Sequence, residues 1–207
     1  PSGIFDVDEF FDVLRDDPLD RWYQLGNVIA IVDALLPEQL SPQADYILAS
    51  ECANAGLVLL SRGQLAQPGQ CEAAVAHLKR ALTACKCSRV FQPEEILAKD
   101  WAALTEADMA RIARCGMRQA SCEKLHFEEH EAFSSAYFLE LGLPRARLER
   151  NIPGLFTDPA CGRVVRVKGF VEENGQWVEL NATADGLTAS PLAQGQQVLI
   201  VIGEGLD

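Results

Sequence analysis

Val28-Ile29-Ala30-Ile31-Val32 is a short continuous apolar run rich in β-branched residues, and it decides the fold of this chain. Such runs are typical of strands buried on both faces of a parallel sheet. A second run of this kind follows at residues 57–60. Between the two runs a helix is predicted, with Ser41 as its N-cap and Pro42 at its first position. The stretch therefore predicts a β-α-β unit.

The alternation of strand and helix continues further along the chain. A helix is predicted from Cys71 to about Ala84, and a brief third strand at residues 89–91. Before the first strand, residues 5–15 carry apolar side chains at helical spacing, which predicts an amphipathic helix. Strands and helices that alternate in this way indicate a parallel sheet with flanking helices.

Residues 92–207 do not continue the alternation of strand and helix. Residues 92–129 are predicted to be helical and polar, with Thr105 and Asp108 forming a capping box. A helix is expected to start near Pro144, and Asn174-Gly175 is a hairpin turn signal. Strands are predicted at residues 132–139, 164–171, 176–182 and 197–202. These patterns predict a first domain over residues 1–129 and a small α+β domain with a largely antiparallel sheet over residues 130–207.

Composition limits the class of protein. A formal net charge of −12 over 207 residues argues against nucleic acid or an anionic membrane as the main partner. No apolar run approaches the roughly 20 residues that a membrane span needs, and the first residues lack the basic and apolar pattern expected of a signal peptide. The seven cysteines are odd in number and irregularly spaced, which favours free thiols in a reducing compartment. We therefore expect a cytoplasmic protein.

Seven short motifs occur in an order that resembles a known family. They are Pro1-Ser2-Gly3-Ile4, Val32-Asp33-Ala34, Glu51-Cys52-Ala53-Asn54-Ala55-Gly56, Phe91-Gln92-Pro93-Glu94, Phe133-Ser134-Ser135, Arg166-Val167-Lys168-Gly169-Phe170 and Val201-Ile202-Gly203. In this order they resemble the CobW-type metallochaperone GTPases, a branch of the P-loop GTPases. Each motif is short, and their order carries the resemblance.

The resemblance implies an α/β fold: a partial P-loop-type parallel sheet with flanking helices, followed by a small α+β domain like the family's C-terminal domain. It implies that the intact protein binds GTP and Mg²⁺. GTP hydrolysis would be coupled to delivery of zinc or cobalt, or to cofactor assembly such as that of cobalamin. The partner would be a client metalloprotein or a cofactor-assembly protein.

The resemblance also implies roles for individual segments. Ser2 and Gly3 match the end of the segment that senses the terminal phosphate, and residues 91–94 match a segment that follows the last strand of the nucleotide-binding domain. In the motif at residues 51–56, Glu51 stands where the family has Gln and Gly56 where it has Asp.

Two departures from the family alter these expectations. No G-x-x-x-x-G-K-[ST] motif occurs in the sequence, and the backbone amides of that loop hold the phosphates of the nucleotide. We therefore expect this chain to be the distal portion of a longer protein and to hydrolyse no nucleoside triphosphate by itself. No catalytic residue is assigned.

The second departure lies in the base-recognition motif. The family's Asn-Lys-x-Asp is replaced by Ser61-Arg62-Gly63-Gln64. A Gln amide offers guanine one acceptor where the carboxylate of Asp offers two, so selectivity for guanine should weaken. On the resemblance, Ser61, Arg62 and Gln64 join Ser2 and Gly3 as the nucleotide-binding residues.

Each of these segments also has a purely structural interpretation. Residues 61–64 are also compatible with an ordinary loop, and Asp33 with a helix cap instead of a ribose- or metal-side group. Arg166 and Lys168 are compatible with the solvated side of a sheet or with a site for an acidic partner. The rival hypothesis for the whole chain is a non-catalytic protein-interaction module with a decayed nucleotide site.

Metal ligands are only weakly indicated. Cys122, His126 and His130 recur at every fourth position, with Glu128 and Glu129 nearby, but this span covers about 12 Å of helix, too far for all three to meet one ion. The residues are compatible with a metal site made of one i, i+4 pair and a ligand from elsewhere, or with solvated or capping histidines. Cys85-x-Cys87 lacks a second pair at zinc-site spacing. No metal ligand is assigned from the sequence.

Overall fold

The structure is a computed structural model, and it describes residues 7–123 and 133–206, apart from the side chains of residues 8 and 9. The chain divides into two compact units, Pro1–His126 and Phe127–Asp207. Each unit has a sheet and a buried apolar cluster of its own. Among the helices described, none is both long and apolar enough to cross a membrane.

The first unit contains a parallel sheet. Its described helices and strands are α1 Val7–Arg15, β1 Ile29–Asp33, α2 Pro42–Ala53, β2 Leu57–Ser61, α3 Gln70–Ala84, β3 Ile96–Leu97 and α4 Glu106–Ala113. The strands lie side by side in the order β1-β2-β3. Ile29 is opposite Leu57, and Val58 is opposite Ile96, both in parallel pairs. The predicted parallel β-α-β arrangement is confirmed.

Helix α2 begins where the sequence predicts. The Ser41 hydroxyl accepts a hydrogen bond from the Ala44 N–H at 3.1 Å, and Pro42 occupies the first turn. The small buried face of α2, which includes Ala49, packs into the same cluster as Leu78 of α3. These contacts fix the two helices against the sheet and set the positions of the loops at its carboxyl edge.

The prediction that the first strand is buried on both faces was wrong. Ala30 and Val32 are buried in the cluster with α2 and α3, whereas Ile29 is 38% exposed and Ile31 is 61% exposed. Successive side chains of a strand point to opposite faces of the sheet, and the described residues cover only the Ala30 and Val32 face of β1, an edge strand. A continuous apolar run does not distinguish such a strand from a central one.

The predicted third strand at residues 89–91 was also wrong. Residues 89–91 are irregular, and the strand that pairs with β2 is β3, Ile96–Leu97. Arg89 instead turns back to donate a hydrogen bond to the Ala55 carbonyl at 3.1 Å. The segment at residues 91–94 therefore precedes the last strand of this sheet, although the resemblance places it after that strand.

Residues 92–129 are mostly not helical where they are described. Short 3₁₀ turns occupy Pro93–Glu95 and Trp101–Ala103, and α4 covers only Glu106–Ala113. The capping box that starts α4 is confirmed, because the Asp108 N–H donates to the Thr105 hydroxyl and the Thr105 N–H to the Asp108 carboxylate. The irregular segment that follows, residues 114–123, is called the strap below.

The second unit contains an antiparallel sheet and one described α-helix. Its elements are β4 Phe133–Leu139, α5 Arg145–Leu155, β5 Arg163–Glu173, β6 Gln176–Thr183, β7 Gly186–Leu192 and β8 Val198–Glu204. The strand order is β4-β8-β5-β6-β7, with every neighbouring pair antiparallel. Leu148 and Ile152 of α5 join the buried cluster of this unit. The expected separate antiparallel sheet is confirmed.

One hairpin was predicted and one was missed. Asn174 and Gly175 have φ values of 53° and 77°, as a two-residue turn between β5 and β6 requires. Strand β7 was not predicted, because Gly186–Leu192 lacks alternating apolar residues and contains Pro191. That proline is compatible with the edge position of β7. The available signal was Asp185-Gly186, a common turn sequence, although the two turn residues are Ala184 and Asp185 and Gly186 already begins β7.

Candidate functional site

The carboxyl ends of β1 and β2 lie next to each other. Asp33, the last residue of β1, is opposite Ser61, the last residue of β2. A 3₁₀ turn over Gly63–Leu65 follows Ser61 directly. Ligands of open α/β sheets bind outside the carboxyl ends of the strands. Ser61, Arg62 and Gln64 are therefore grouped at the edge of the sheet where a ligand is expected.

Asp33 and Arg62 form an ion pair across this edge. Arg62 Nε donates to Asp33 Oδ1 at 2.9 Å, and Arg62 Nη2 contacts Asp33 Oδ2. Asp33 Oδ1 also accepts a hydrogen bond from the Leu35 N–H at 2.9 Å. The two side chains are 32% and 39% exposed, so solvent screens the pair and its net value is about 1 kcal/mol. Asp33 thus braces the turn after β1 and orients Arg62.

The backbone of Arg62 is strained. Its φ of 59° and ψ of 17° place it in the left-handed region, which costs a residue with a side chain about 1–2 kcal/mol. The ion pair with Asp33 offsets much of that cost. Strained backbone that the surroundings hold in place is a common property of ligand-binding turns.

Ser61 and Gln64, on either side of Arg62 and Gly63, differ in their surroundings. The Ser61 hydroxyl donates to the Val32 carbonyl at 3.3 Å, and the Ser61 carbonyl accepts from the Ala34 N–H at 2.9 Å. Ser61 is therefore tied to the neighbouring strand. Gln64 is exposed, so its amide is accessible to a molecule that approaches this edge.

A cavity of about 360 Å³ lies between residues 34–39 and one side of α3. His77 and Arg80 of α3 are among its lining residues, as is Glu38. His77 is buried, and its Nε2 lies 2.6 Å from Asp45 Oδ1. This pair was not predicted from the sequence. The available signal was a histidine inside the apolar face of α3, between Ala74 and Ala81.

Several residues singled out from the sequence lie outside the described part of the chain. These are Ser2, Gly3, His126, Glu128, Glu129 and His130. Cys122 is described, and it is buried against Cys85. Within residues 7–123 and 133–206, no three Cys, His, Asp or Glu side chains are arranged to hold a metal ion.

Arg166 and Lys168 have partners within their own sheet. Arg166 Nε donates to Asn181 Oδ1 at 3.0 Å, and Lys168 Nζ lies 2.9 Å from Glu179 Oε1. Gly169, in the same motif, approaches its neighbours so closely that a Cβ there would lie 3.0 Å from Leu199 Cδ1. This motif thus has a structural role in the sheet of the second unit.

Comparison with known proteins gives a slight likeness to one GTPase. No protein-family model matches the chain, and no curated protein sequence matches it. Two solved structures are similar: the Zn(II)-bound YjiA GTPase from E. coli, and a Zn(II)-bound triple mutant of YjiA. Each is 16% identical, with a TM-score of 0.33, over 96% of this chain and 63% of the other. This chain therefore spans less than two thirds of their length. A TM-score this low does not show a shared fold.

Glu95 is the centre of a buried ion cluster beside β3. Its Oε2 lies 3.2 Å from Arg89 Nη1, and its Oε1 lies 3.0 Å from Arg118 Nη2. Burial acts to raise the pKa of Glu95, but the Gln92 N–H and the two arginines outweigh it and hold the pKa below its usual value. The cluster joins the strap to the segment before β3.

The pKa of Glu51 in α2 is shifted in the opposite direction from that of Glu95. Burial raises its pKa to about 7. Its Oε1 atom is buried and has no hydrogen-bond partner among the described residues. A carboxyl group in this setting changes its charge near neutral pH, so it links the stability of the first unit to pH.

Proposed function

We propose that this chain is the distal part of a CobW-type GTP-binding protein and that residues 61–64 form the base side of its nucleotide site. The order of the short motifs along the sequence supports the proposal. One observation carries it: the Asp33–Arg62 ion pair joins the two strand ends at the sheet edge where nucleotides bind in open α/β folds.

The residues at this edge suit the base of a nucleotide better than its phosphates. Arg62 presents a planar guanidinium group that is able to stack on a base, and the exposed Gln64 amide is able to hydrogen-bond to the base edge. Asp33 is a poor metal ligand here, because Arg62 and the Leu35 N–H already occupy its carboxylate. We therefore expect the phosphates and Mg²⁺ to be held by residues outside the described part of the chain.

Each residue of the turn then has a role in binding. Ser61 braces the turn through the Val32 carbonyl, and Asp33 holds the Arg62 guanidinium in place. Gln64 takes the position of the family's specificity Asp. Its amide offers guanine one acceptor, so one of the two guanine donors is left unmatched, at a cost of about 1–3 kcal/mol.

In the intact protein, GTP hydrolysis with Mg²⁺ would drive delivery of zinc or cobalt to a client metalloprotein or a cofactor-assembly protein. The chain 1–207 by itself would be inactive. Its exposed Ile29 and Ile31 offer an apolar face on which a preceding segment, carrying the phosphate loop, is able to pack. We expect the protein to act in the cytoplasm, without nucleic acid or membrane as partner.

Calorimetric titration with GTP and Mg²⁺ tests this proposal on the chain 1–207 and on the full-length protein. The chain alone is expected to bind no tighter than millimolar, because phosphate contacts supply most of the affinity at sites of this class. The full-length protein is expected to bind in the micromolar range. Micromolar binding by the chain alone would show that no further phosphate loop is needed, and no binding by the full-length protein would refute the proposal.

A non-catalytic interaction module is the second candidate. The observation that favours it is the exposed apolar face of β1 at Ile29 and Ile31, together with a base motif changed to Ser61-Arg62-Gly63-Gln64. On this account the full-length protein binds none of GTP, ATP and XTP. Instead, a partner protein covers β1, and Ile31→Lys weakens that complex.

A further inference from the structure

Two buried cysteines from distant parts of the sequence are in direct contact. Cys85 follows the last residue of α3, and Cys122 lies at the end of the strap. Their Sγ atoms are 2.8 Å apart, and the residues are 2% and 8% exposed. This separation is shorter than ordinary contact between two sulfur atoms. The two sulfur atoms would have to approach by about 0.8 Å to reach the roughly 2.05 Å of a covalent S–S bond.

The backbone holds the pair in this position from both sides. The Glu123 N–H donates to the Cys85 carbonyl at 2.8 Å, next to the two thiols. Earlier in the strap, the Arg118 N–H donates to the Asn54 carbonyl at 3.0 Å. The contact between the thiols therefore follows from the path of the main chain and is not an accident of two flexible side chains.

A third thiol lies beside the pair. Cys87 is half-buried, and it follows Lys86, whose φ of 53° turns the chain back after α3. Burial is the main cause that raises the pKa of Cys122, and the adjoining Cys85 and Cys87 thiols add to it. Cys122 therefore stays protonated and reacts slowly with reagents from solution, whereas Cys87 is the more accessible of the three.

We propose that Cys85 and Cys122 are the site of a reversible disulfide, formed by exchange with a low-molecular-weight disulfide such as oxidised glutathione, with Cys87 as the first thiol to react. The proposal is independent of the nucleotide site. It assigns a redox role to cysteines that the proposed function does not use.

The chemistry proceeds by three exchanges. The Cys87 thiolate attacks one sulfur of oxidised glutathione, whose S–S bond breaks, and one glutathione leaves as thiolate. Cys122 then attacks Cys87 Sγ and loses its proton to the departing sulfur, so the bond between Cys87 and glutathione breaks and the second glutathione leaves as a thiol. Finally the Cys85 thiolate attacks Cys122 Sγ and restores Cys87 as a thiolate. In total, two cysteine thiols lose two electrons and two protons, and one glutathione disulfide is reduced to two thiols.

The disulfide would fix the strap to the end of α3. It closes a loop from residue 85 to residue 122 and so restricts the unfolded chain. The strap is the last described segment before the second unit. Oxidation is therefore expected to make the end of the strap more rigid and to raise the thermal stability of the first unit.

Peptide mapping of the full-length protein tests the proposal. The protein is incubated with reduced and oxidised glutathione, free thiols are alkylated with a maleimide in denaturant at mildly acid pH, and the peptides are identified by mass spectrometry. A linked Cys85–Cys122 peptide is expected, and excess dithiothreitol should remove it. In Cys87→Ala the same link should form about tenfold more slowly, whereas Cys161→Ala, a control in the second unit, should behave as wild type.

Thermal unfolding gives a second measurement. Oxidation should raise the melting temperature of the wild type by several degrees and leave that of Cys122→Ala unchanged, with circular dichroism to check that the variant is folded. The disulfide is refuted if both Cys85 and Cys122 of the wild type remain alkylatable after oxidation, or if they link to other cysteines. An unchanged rate in Cys87→Ala refutes the role of Cys87 as first thiol.

Discussion

Arg62 and Asp33 form a two-point ion pair between the carboxyl ends of β2 and β1, while Arg62 itself has left-handed backbone angles. The side-chain contact and the backbone strain act on stability in opposite directions, so substitutions at this position separate them. Alanine and glycine both remove the guanidinium group, but only glycine also relieves the strain.

Arg62→Gly is therefore expected to be more stable than Arg62→Ala by about 1 kcal/mol. Urea denaturation of both variants measures the difference. Lys79, exposed within α3, is the matched control. There the order should reverse, with the glycine variant less stable by about 1 kcal/mol. Equal stability of the two Arg62 variants would show that the left-handed backbone contributes nothing.

Glu95 should be essential for the stability of the first unit. Its side chain is 11% exposed and that of Arg89 is 8% exposed, so Glu95→Gln leaves a buried guanidinium without its counter-charge. A loss of about 3 kcal/mol is expected near neutral pH. Chemical denaturation measures it, and Glu94→Gln, an exposed neighbour, should change stability by less than about 0.5 kcal/mol.

The loss of stability in Glu95→Gln should also depend on pH. The pKa of Glu95 is lower in the folded state than its usual 4.5. The ionised carboxylate therefore contributes its full stabilisation above about pH 4.5, and the contribution is lost as the pH falls through the folded-state pKa. Wild type and Glu95→Gln should converge in acid. A difference that does not change with pH would contradict this account of the cluster.

The contribution of Glu51 to folding stability is expected to have the opposite pH dependence. Its pKa rises from 4.5 to about 7 on folding, so the folded state holds the proton more tightly than the unfolded state. Stability should therefore fall as the pH rises from 4.5 to 7. Glu51→Gln removes this dependence and should be more stable than wild type by about 1 kcal/mol at pH 8, after allowance for partial exposure.

Thermal unfolding at pH 4 and pH 8 measures this effect. The two proteins should be similar at pH 4, where Glu51 is protonated in both states. Glu72→Gln, at an exposed position of α3, should leave the pH dependence unchanged. A stability gap between wild type and Glu51→Gln that is the same at both pH values would show that Glu51 does not titrate in this range.

Local sequence signals predicted much of the fold. Ser41, the Thr105–Asp108 capping box and the Asn174-Gly175 turn are short-range features, and each lies where the sequence placed it. Strand β3 is different, because two residues become a strand only through pairing with Val58 and Leu59. That partner lies 38 residues earlier in the chain and leaves no mark on the local pattern.

The candidate site also contains some contacts that follow from the sequence and others that do not. Parallel strands end at a common edge, so the proximity of Asp33 and Ser61 follows from the predicted sheet. The contacts of Arg62 with Asp33 and of Cys85 with Cys122 join residues 29 and 37 positions apart. Such contacts depend on the path of loops, which composition and periodicity do not specify.

The central claim is that residues 61–64 recognise the base of a nucleotide. In Gln64→Asp, a carboxylate gives guanine two acceptors in place of one, on a shorter side chain. Charge-assisted hydrogen bonds of this kind are worth about 1.5–3 kcal/mol, so preference for GTP over ATP or XTP should rise about tenfold to a hundredfold. Ser61→Asn is the matched control and should do less, because Ser61 braces the loop through the Val32 carbonyl.

Competition binding of GTP, ATP and XTP to the full-length wild type, Gln64→Asp and Ser61→Asn is the direct measurement. The account predicts a large gain in GTP preference for Gln64→Asp alone. If Gln64→Asp leaves the preference unchanged while the protein still binds nucleotide, residues 61–64 do not read the base and the claim is wrong.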